Sequence, residues 1–553
     1  MQKTDKRKRN RIRGSRVLAL ALSLALALSL LALAACREGG SVGADIVGDV
    51  GSDGAGGGDG AGGAGGGGQQ SNQPTTTVTI LFNGATVTDD TAVVAAINKH
   101  LADIGSGLEI RPIWGTWGDF NEKAINALDT GDTSIDIFFT CSWTSNNYSL
   151  YAKKGAWARL DDPENDLLGM FGAEMKAAVP FVLWKGFTVD GTDGNGIYAV
   201  PGYKDYAQLY TWDVNNTRLA ELGIDIDSIP WDNGAFYSDE LANALKVAKE
   251  RYGSDFFPLN VEGEPLSRSI INSDAETTGL LYYRFDPNDP SKPESPVVES
   301  RYGSAEMKQY YDKVREFYLA GYVDPRMANM QQANDAITAK QQMGEYLIGS
   351  SVYAFGYDKT ASLERGIDNK FPPFSKAIVS TGSVQGSGYA VSVYSKNKEA
   401  AVRFLNLWYT DPKLATLLAY GLEGVQYVKN DDGTILFDQD ARNSYLPWRN
   451  GMGNIFILPP EESAGANYWK EFEQYNAEGT ATALIGFEFD TTPVRNQVAA
   501  LSNVRDEYIY ALNAGAVDPD VKLPEFLAKL NANGLEEVIA ECNRQIQEFL
   551  AAR

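Results

Sequence analysis

Between Val78 and Cys141 the chain reads VTILFNG (78–84), TAVVAAINKHLADI (91–104), LEIRPIWG (108–115), DFNEKAINALDTG (119–131) and IDIFFTC (135–141). The first, third and fifth segments are short apolar runs rich in β-branched and aromatic residues. The second and fourth repeat apolar residues at helical spacing. Strand, helix, strand, helix, strand in that order predicts a parallel sheet with right-handed crossovers, so the fold class is expected to be α/β. Ligands meet such sheets at the loops that follow the carboxyl ends of the strands. Trp114 and Trp117 follow one strand, and Ser142, Trp143, Asn146 and Asn147 follow the next, which puts them at the expected mouth.

Toward the N-terminus, MQKTDKRKRNRIRGSR carries eight Lys or Arg against one Asp and is followed by an apolar run of nineteen residues, Val17 to Ala35. A cationic end before an apolar run is an export signal. The run is nearly long enough to span a bilayer as a permanent helix, so its flank decides. It closes on Leu33-Ala34-Ala35-Cys36, which resembles the lipobox of bacterial lipoproteins. That resemblance implies removal of residues 1–35 and a lipid anchor on Cys36; the alternative is an uncleaved anchor helix. Either leaves the rest of the chain outside the cytoplasm, and the expected location is the cell membrane, facing the extracellular side.

Residues 36–76 are dominated by glycine and hold almost no large apolar side chain. Such a segment buries no core and is expected to be a disordered tether. As a Gly-rich coil of roughly 40 residues it would reach about 35 Å. From residue 77 to 553 aromatic and periodic apolar residues persist, and so long a stretch exceeds one hydrophobic core. Loss of residues 1–35 removes eight positive charges and one negative, moving the formal net charge from −23 to −30. A surface that acidic repels phosphate backbones and anionic headgroups, which argues against nucleic-acid binding and against a basic membrane patch.

Three cysteines, Cys36, Cys141 and Cys542, make no disulfide scaffold. Cys141 and Cys542 are read as two buried thiols, with a disulfide between them as the alternative. The single histidine, His100, lies near the end of its helical segment and is read as a surface or cap residue. One histidine and no G-x-S-x-G elbow remove most support for Ser-His-Asp chemistry. NDDGTILFDQD (430–440) and FDPNDPSKPE (285–294) look like calcium loops but lack EF-hand spacing. The first reads as a hairpin turning at Asp432-Gly433 and the second as a surface loop. No metal, cofactor or catalytic residue is expected.

Further along come GIYAVPGYKDYAQLYTWD (196–213), NTRLAELGID, GEYLIGSSVYAFGYD and GSGYAVSVYSKNKEAAVRFLNLWYTDPKL. In that order they resemble the extracellular solute-binding proteins of ABC importers. RYGSAEMKQYYDKVREFYLAGYVDPRM, YGLEGVQYVKNDDGT and the tail from LIGFEFDTTPVRNQ onward are similar to a subgroup, Gram-positive substrate-binding lipoproteins carrying a C-terminal region of uncharacterised function. The resemblance covers most of residues 77–553. It implies a bilobal, periplasmic-binding-protein-like fold: two α/β lobes joined by crossover segments, with the ligand cleft between them. The lobes are expected to interleave, lobe 1 from about 77–200 plus 330–380 and lobe 2 from about 201–329 plus 381–553. Hinge closure and delivery to a membrane permease come with the family, and the receptor is expected to be monomeric.

A receptor for a neutral polyhydroxyl ligand needs flat aromatic faces for C–H surfaces and forked polar groups for hydroxyls. The candidates of those types are Trp117, Trp143, Tyr203, Tyr206, Tyr357, Tyr389 and Trp448, with Asp119, Asn146, Gln385 and Arg449. For each aromatic the competing role is packing. Gly386-Ser387-Gly388 before Tyr389 suits either an interlobe wall or a turn that needs positive φ. The expected function is a lipid-anchored importer receptor for an oligosaccharide. A secreted carbohydrate hydrolase working through paired carboxylates and a receptor that presents ligand to a sensor kinase are the alternatives.

Overall fold

The computed structural model describes residues 75–551 apart from 233, 262–272, 276–278, 287–288, 330–339, 341–342, 354 and 375. The export signal, Cys36 and the glycine tether lie outside the described residues. Eight strands carry the two main sheets: β1 (Thr76–Phe82), β2 (Leu108–Trp114), β3 (Ile137–Thr140), β4 (Ala199–Pro201), β5 (Leu209–Asn215), β6 (Ile348–Tyr353), β7 (Asn369–Lys370) and β8 (Gly388–Val391). The helices α1 (Thr91–Asp103) and α2 (Phe120–Thr130) connect the first three strands, as the sequence predicts.

The first sheet runs β2-β1-β3-β8-β4. β1 is parallel to β2, from Thr76 opposite Leu108 to Phe82 opposite Trp114, and parallel to β3, with Ile80 opposite Ile137. β8 is antiparallel to β3 and to β4, so Gly388 lies beside both Thr140 and Pro201. The carboxyl ends of β1, β2, β3 and β4 therefore share one edge with the entry to β8. Val78, Ile80, Phe82, Ile137 and Phe139 are fully buried here with Trp408, which is why these strands read as unbroken apolar runs.

The second sheet is antiparallel, β6-β5-β7, with Ile348 opposite Val214 and Asn369 opposite Asn215. It belongs to a separate core that holds Trp212, Leu245, Tyr310, Ile348, Phe526 and Ile546. The helices Arg495–Asn513, Pro519–Ala532 and α5 (Leu535–Ala551; α3 and α4 are placed below) pack on this second core.

Two cores agree with two lobes, but their chain composition corrects the expected division. The first core takes residues 78–207 and returns for 379–485, whereas the second takes 212–374 and 484–546. The described part of the 330–380 stretch belongs almost wholly to the second lobe because β6 and β7 both pair with β5. The stretch from 381 onward re-enters the first because β8 slots between β3 and β4. Where the chain passes between lobes its strands hold one another: Gln208 and Ile378 exchange backbone hydrogen bonds at 2.7 and 2.9 Å, and Ile378 lies beside Thr480.

Smaller expectations divide. The hairpin is present, Tyr427–Lys429 against Ile435–Phe437, with Gly433 at φ +84° in its turn. In its described residues the Pro-rich stretch is not a surface loop, since Asp289–Ser300 is a strand antiparallel to Leu281–Asp286. His100 is not on the surface either. The residue is 8% exposed and Nε2 lies 2.6 Å from Oδ2 of Asp411. Cys141 and Cys542 are buried in different cores and are not joined to each other by a disulfide. No helix among the described residues is long and apolar enough to cross a membrane.

Candidate functional site

At the shared edge of the first sheet, the loops after β1, β2 and β3 bring three indoles together with a segment from far along the chain. Trp117 follows β2, Trp143 follows β3, and Trp448 comes from the segment before the turn Arg449–Gly451. Ring centroids lie 5.1 Å apart for Trp117 and Trp448, 5.9 Å for Trp143 and Trp448, and 6.1 Å for Trp117 and Trp143. Trp117 is 57% and Trp143 51% exposed, while Trp448 is half-buried. Phe139 forms the floor, 6.1 Å from Trp143 and 5.7 Å from Trp448.

Two glycines let the rings lie flat on backbone. A methyl group at Gly84 would meet the Trp117 ring at 2.6 Å, and one at Gly451 would meet the Trp448 ring at 2.5 Å. The Trp143 indole N–H donates to Gly386 O at 2.9 Å, which fixes its ring plane. Neither Gly386 nor Gly388 has positive φ, so the turn alternative for this segment is set aside. Gly388 instead permits close packing, since a methyl there would lie 2.6 Å from the Phe187 ring. Large aromatic faces held in fixed orientation and left half in water are costly unless something covers them.

The other candidates fall into two groups. Asn146, Gln385 and Tyr389 are buried behind the shelf, at 0%, 2% and 1% exposure. Asn146 Nδ2 donates to Phe139 O and Gln385 Nε2 to Gly186 O, each at 2.7 Å, and the Tyr389 hydroxyl donates to Gly451 O at 2.6 Å. Their side chains hold loops in place and do not face solvent, which corrects their expected role as contact residues. Tyr206 is likewise buried.

Asp119, Tyr203, Tyr357 and Arg449 are partly exposed. Asp119 accepts from Thr116 N at 2.7 Å and pairs with Lys123 at 2.8 Å, and that lysine holds its carboxyl below the usual range. The Tyr203 hydroxyl donates to Glu473 at 3.1 Å; burial, and then the Glu473 carboxylate, push its pKa up. Arg449 is paired with Glu461. Tyr357 opens α3 (Tyr357–Arg365) in the second lobe, its ring lies tilted against Phe371 with centroids 4.8 Å apart, and its hydroxyl accepts from Arg365 at 3.1 Å.

Around Tyr357 the structure adds residues that sequence reasoning passed over. Tyr353, Phe355, Phe371 and Trp231 line a void of about 590 Å³ together with Tyr475 of α4 (Tyr468–Glu478) from the first lobe. Phe355 is 5.1 Å from Phe472 and 5.7 Å from Tyr475, so an aromatic cluster bridges the lobes. The signal was present in SSVYAFGYD, where aromatics alternate at 353, 355 and 357. Lys204 and Asp205, paired at 2.6 Å beside the Tyr203 loop, were also missed.

Comparison with known proteins fits this geometry. Residues 483–551 match a family model described as a domain of unknown function, DUF3502. A carbohydrate ABC transporter substrate-binding protein of Streptococcus pneumoniae serotype 4 is 27% identical over 474 residues, covering 83% of this chain and 88% of that protein. The crystal structure of the N-glycan transport solute-binding protein NgtS from Streptococcus pneumoniae matches with a TM-score of 0.72 and 25% identity, over 86% of this chain and 99% of that one. The same protein in complex with Man5GlcNAc gives a TM-score of 0.64, also at 25% identity, over 87% and 99%. An HMO-binding solute-binding protein from Bifidobacterium longum infantis shares the fold at 17% identity and a TM-score of 0.60, covering 86% of this chain and 100% of that one. Two interleaved lobes, an aromatic shelf on the strand ends and these relatives make the chain similar to solute-binding proteins of ABC transporters, with residues 483–551 matching DUF3502.

Proposed function

We propose that this protein is the lipid-anchored extracellular receptor of an ABC importer and that it captures an oligosaccharide in the cleft edged by Trp117, Trp143 and Trp448. The observation that carries the reading is that indole trio, half exposed and fixed on the carboxyl ends of a parallel sheet. Indole faces suit the C–H faces of sugar rings. Asp119, Lys204, Asp205 and the Tyr203–Glu473 pair supply hydroxyl partners near the shelf. Tyr357, Tyr353 and Phe355 form the opposing wall. The relatives named above carry carbohydrate and glycan in their descriptions, which supports the ligand class. Anchoring at Cys36, delivery to a permease, a monomeric state and the lack of any chemical step belong to the same proposal.

Binding is tested by thermal shift across a glycan panel. A ligand at 100 times its Kd stabilises a receptor by about 2.7 kcal/mol and is recovered intact. The double variant W117A/W143A is expected to weaken binding by about thirtyfold or more, as truncation of central aromatic anchors does. Glycan cleaved at catalytic turnover would overturn the receptor reading in favour of a hydrolase.

A further inference from the structure

A larger void, about 1000 Å³, shares no lining residue with the indole trio. One wall comes from the first lobe, the helix Phe181–Gly186 and the hairpin Thr188–Gly191 with Gly194–Ile197. The other is the segment from Gly486 to Asp490 with α5, on the second lobe. The turn Gln385-Gly386 stands between this void and the indoles. On one side Gly386 O accepts the Trp143 indole, and on the other Gln385 Nε2 donates to Gly186 O. Val384 closes the same partition, lying where a methyl on Gly186 would come within 2.0 Å. The two compartments are thus separate.

The chemistry of the walls narrows what the void can hold. Phe181 is 81% exposed, the largest value among the exposed large apolar residues, and Phe487 and Phe549 add further aromatic surface. Four basic and four acidic side chains line the space. Several already engage one another: Lys153 lies 4.0 Å from Asp490, and Arg544 bonds Glu548 at 2.5 Å and Glu541 at 2.6 Å. An ionic ligand that used Lys153, Asp490, Arg544 or Glu548 would have to break these pairs. A neutral ring with hydroxyl groups needs only an aromatic face and amide, hydroxyl or carboxylate partners, which Thr188 and the Asn195–Asp190 pair offer. The volume stands at the top of the range of about 300–1,000 Å³ usual for small-molecule sites, enough for more than one ring.

We propose that this void is a second binding site for a neutral glycan, with Phe181 as its stacking face and Asn195 among its hydroxyl partners. The ligand class rests on the receptor reading given above; the location does not. Calorimetric titration of the full-length protein with Man5GlcNAc is the test, run on wild type, W117A/W143A and F181A/N195A. Phe181 and Asn195 are exposed, so their replacement leaves the fold intact. Two sites are expected in wild type, one surviving in W117A/W143A, and in F181A/N195A an affinity loss of about tenfold or more confined to the weaker of the two. A single site that vanishes in W117A/W143A and is untouched in F181A/N195A overturns the second site while leaving the receptor intact. Absence of binding to wild type, by this glycan and by every other in the panel, overturns both.

Discussion

Gly84 sits at φ +72° with the Trp117 ring over it, and those two facts give one residue a double role. A side chain there costs about 1–2 kcal/mol for the left-handed backbone and also displaces the indole. G84A is therefore expected to weaken glycan binding nearly as much as loss of Trp117, even in conditions where the variant is fully folded, measured by calorimetry beside a thermal melt. Asp411 shows a different residue-scale balance. Burial raises its carboxyl pKa, but the bonds from His100 and from the backbone of Leu414 and Lys413 outweigh burial and leave it below the ordinary value. A depressed carboxylate stabilises the fold above its unfolded pKa and loses that contribution as pH falls. D411A should cost about 1 kcal/mol at neutral pH for the lost helix cap, and the gap to wild type in urea unfolding should shrink below about pH 4. The burial of His100 was not legible in the sequence, because its partner lies 311 positions away. Trp117 and Trp143 were legible because their position follows from the strands before them; Asn146, Gln385 and Tyr389 were misjudged because residue type says nothing of which side of a wall a side chain takes.

Elements whose apolar period is local were readable from sequence, as β1, α1, β2, α2 and β3 are, and pairings between distant elements were not. The tie between α3 and β5 is of the second kind. Arg365 reaches both carboxylate oxygens of Asp213 at 3.1 and 2.9 Å, the Tyr346 hydroxyl at 2.6 Å and, with its other nitrogen, the Tyr357 hydroxyl. Asp213 is 1% exposed and its burial pushes the carboxyl pKa up against the pull of Arg365. Removing one partner of a buried pair leaves an uncompensated charge, which costs about 3–5 kcal/mol. R365M should lose stability of that order in denaturant unfolding. R365M/D213N should lose less than the two single changes summed, since the second change removes the stranded charge.

At the scale of the whole molecule, each lobe is assembled from separated parts of the chain, and the periodicity of any one part does not announce which lobe it joins. The expected division failed at residues 330–380 and after 381 for that reason: strand partners, not composition, assign β6, β7 and β8. Among the described residues the same arrangement leaves three passages between the cores, bonded to one another at Gln208, Ile378 and Thr480. Few and adjacent connections let two rigid bodies rotate with little strain elsewhere. A glycan that touches both the indole shelf and the Tyr353–Tyr357 wall favours the closed arrangement by its differential contacts alone. The radius of gyration from small-angle scattering should therefore fall when a bound glycan is added at saturation. W117A/W143A at the same glycan concentration should stay at the unliganded value, and an unchanged radius in saturated wild type would remove lobe closure from the mechanism.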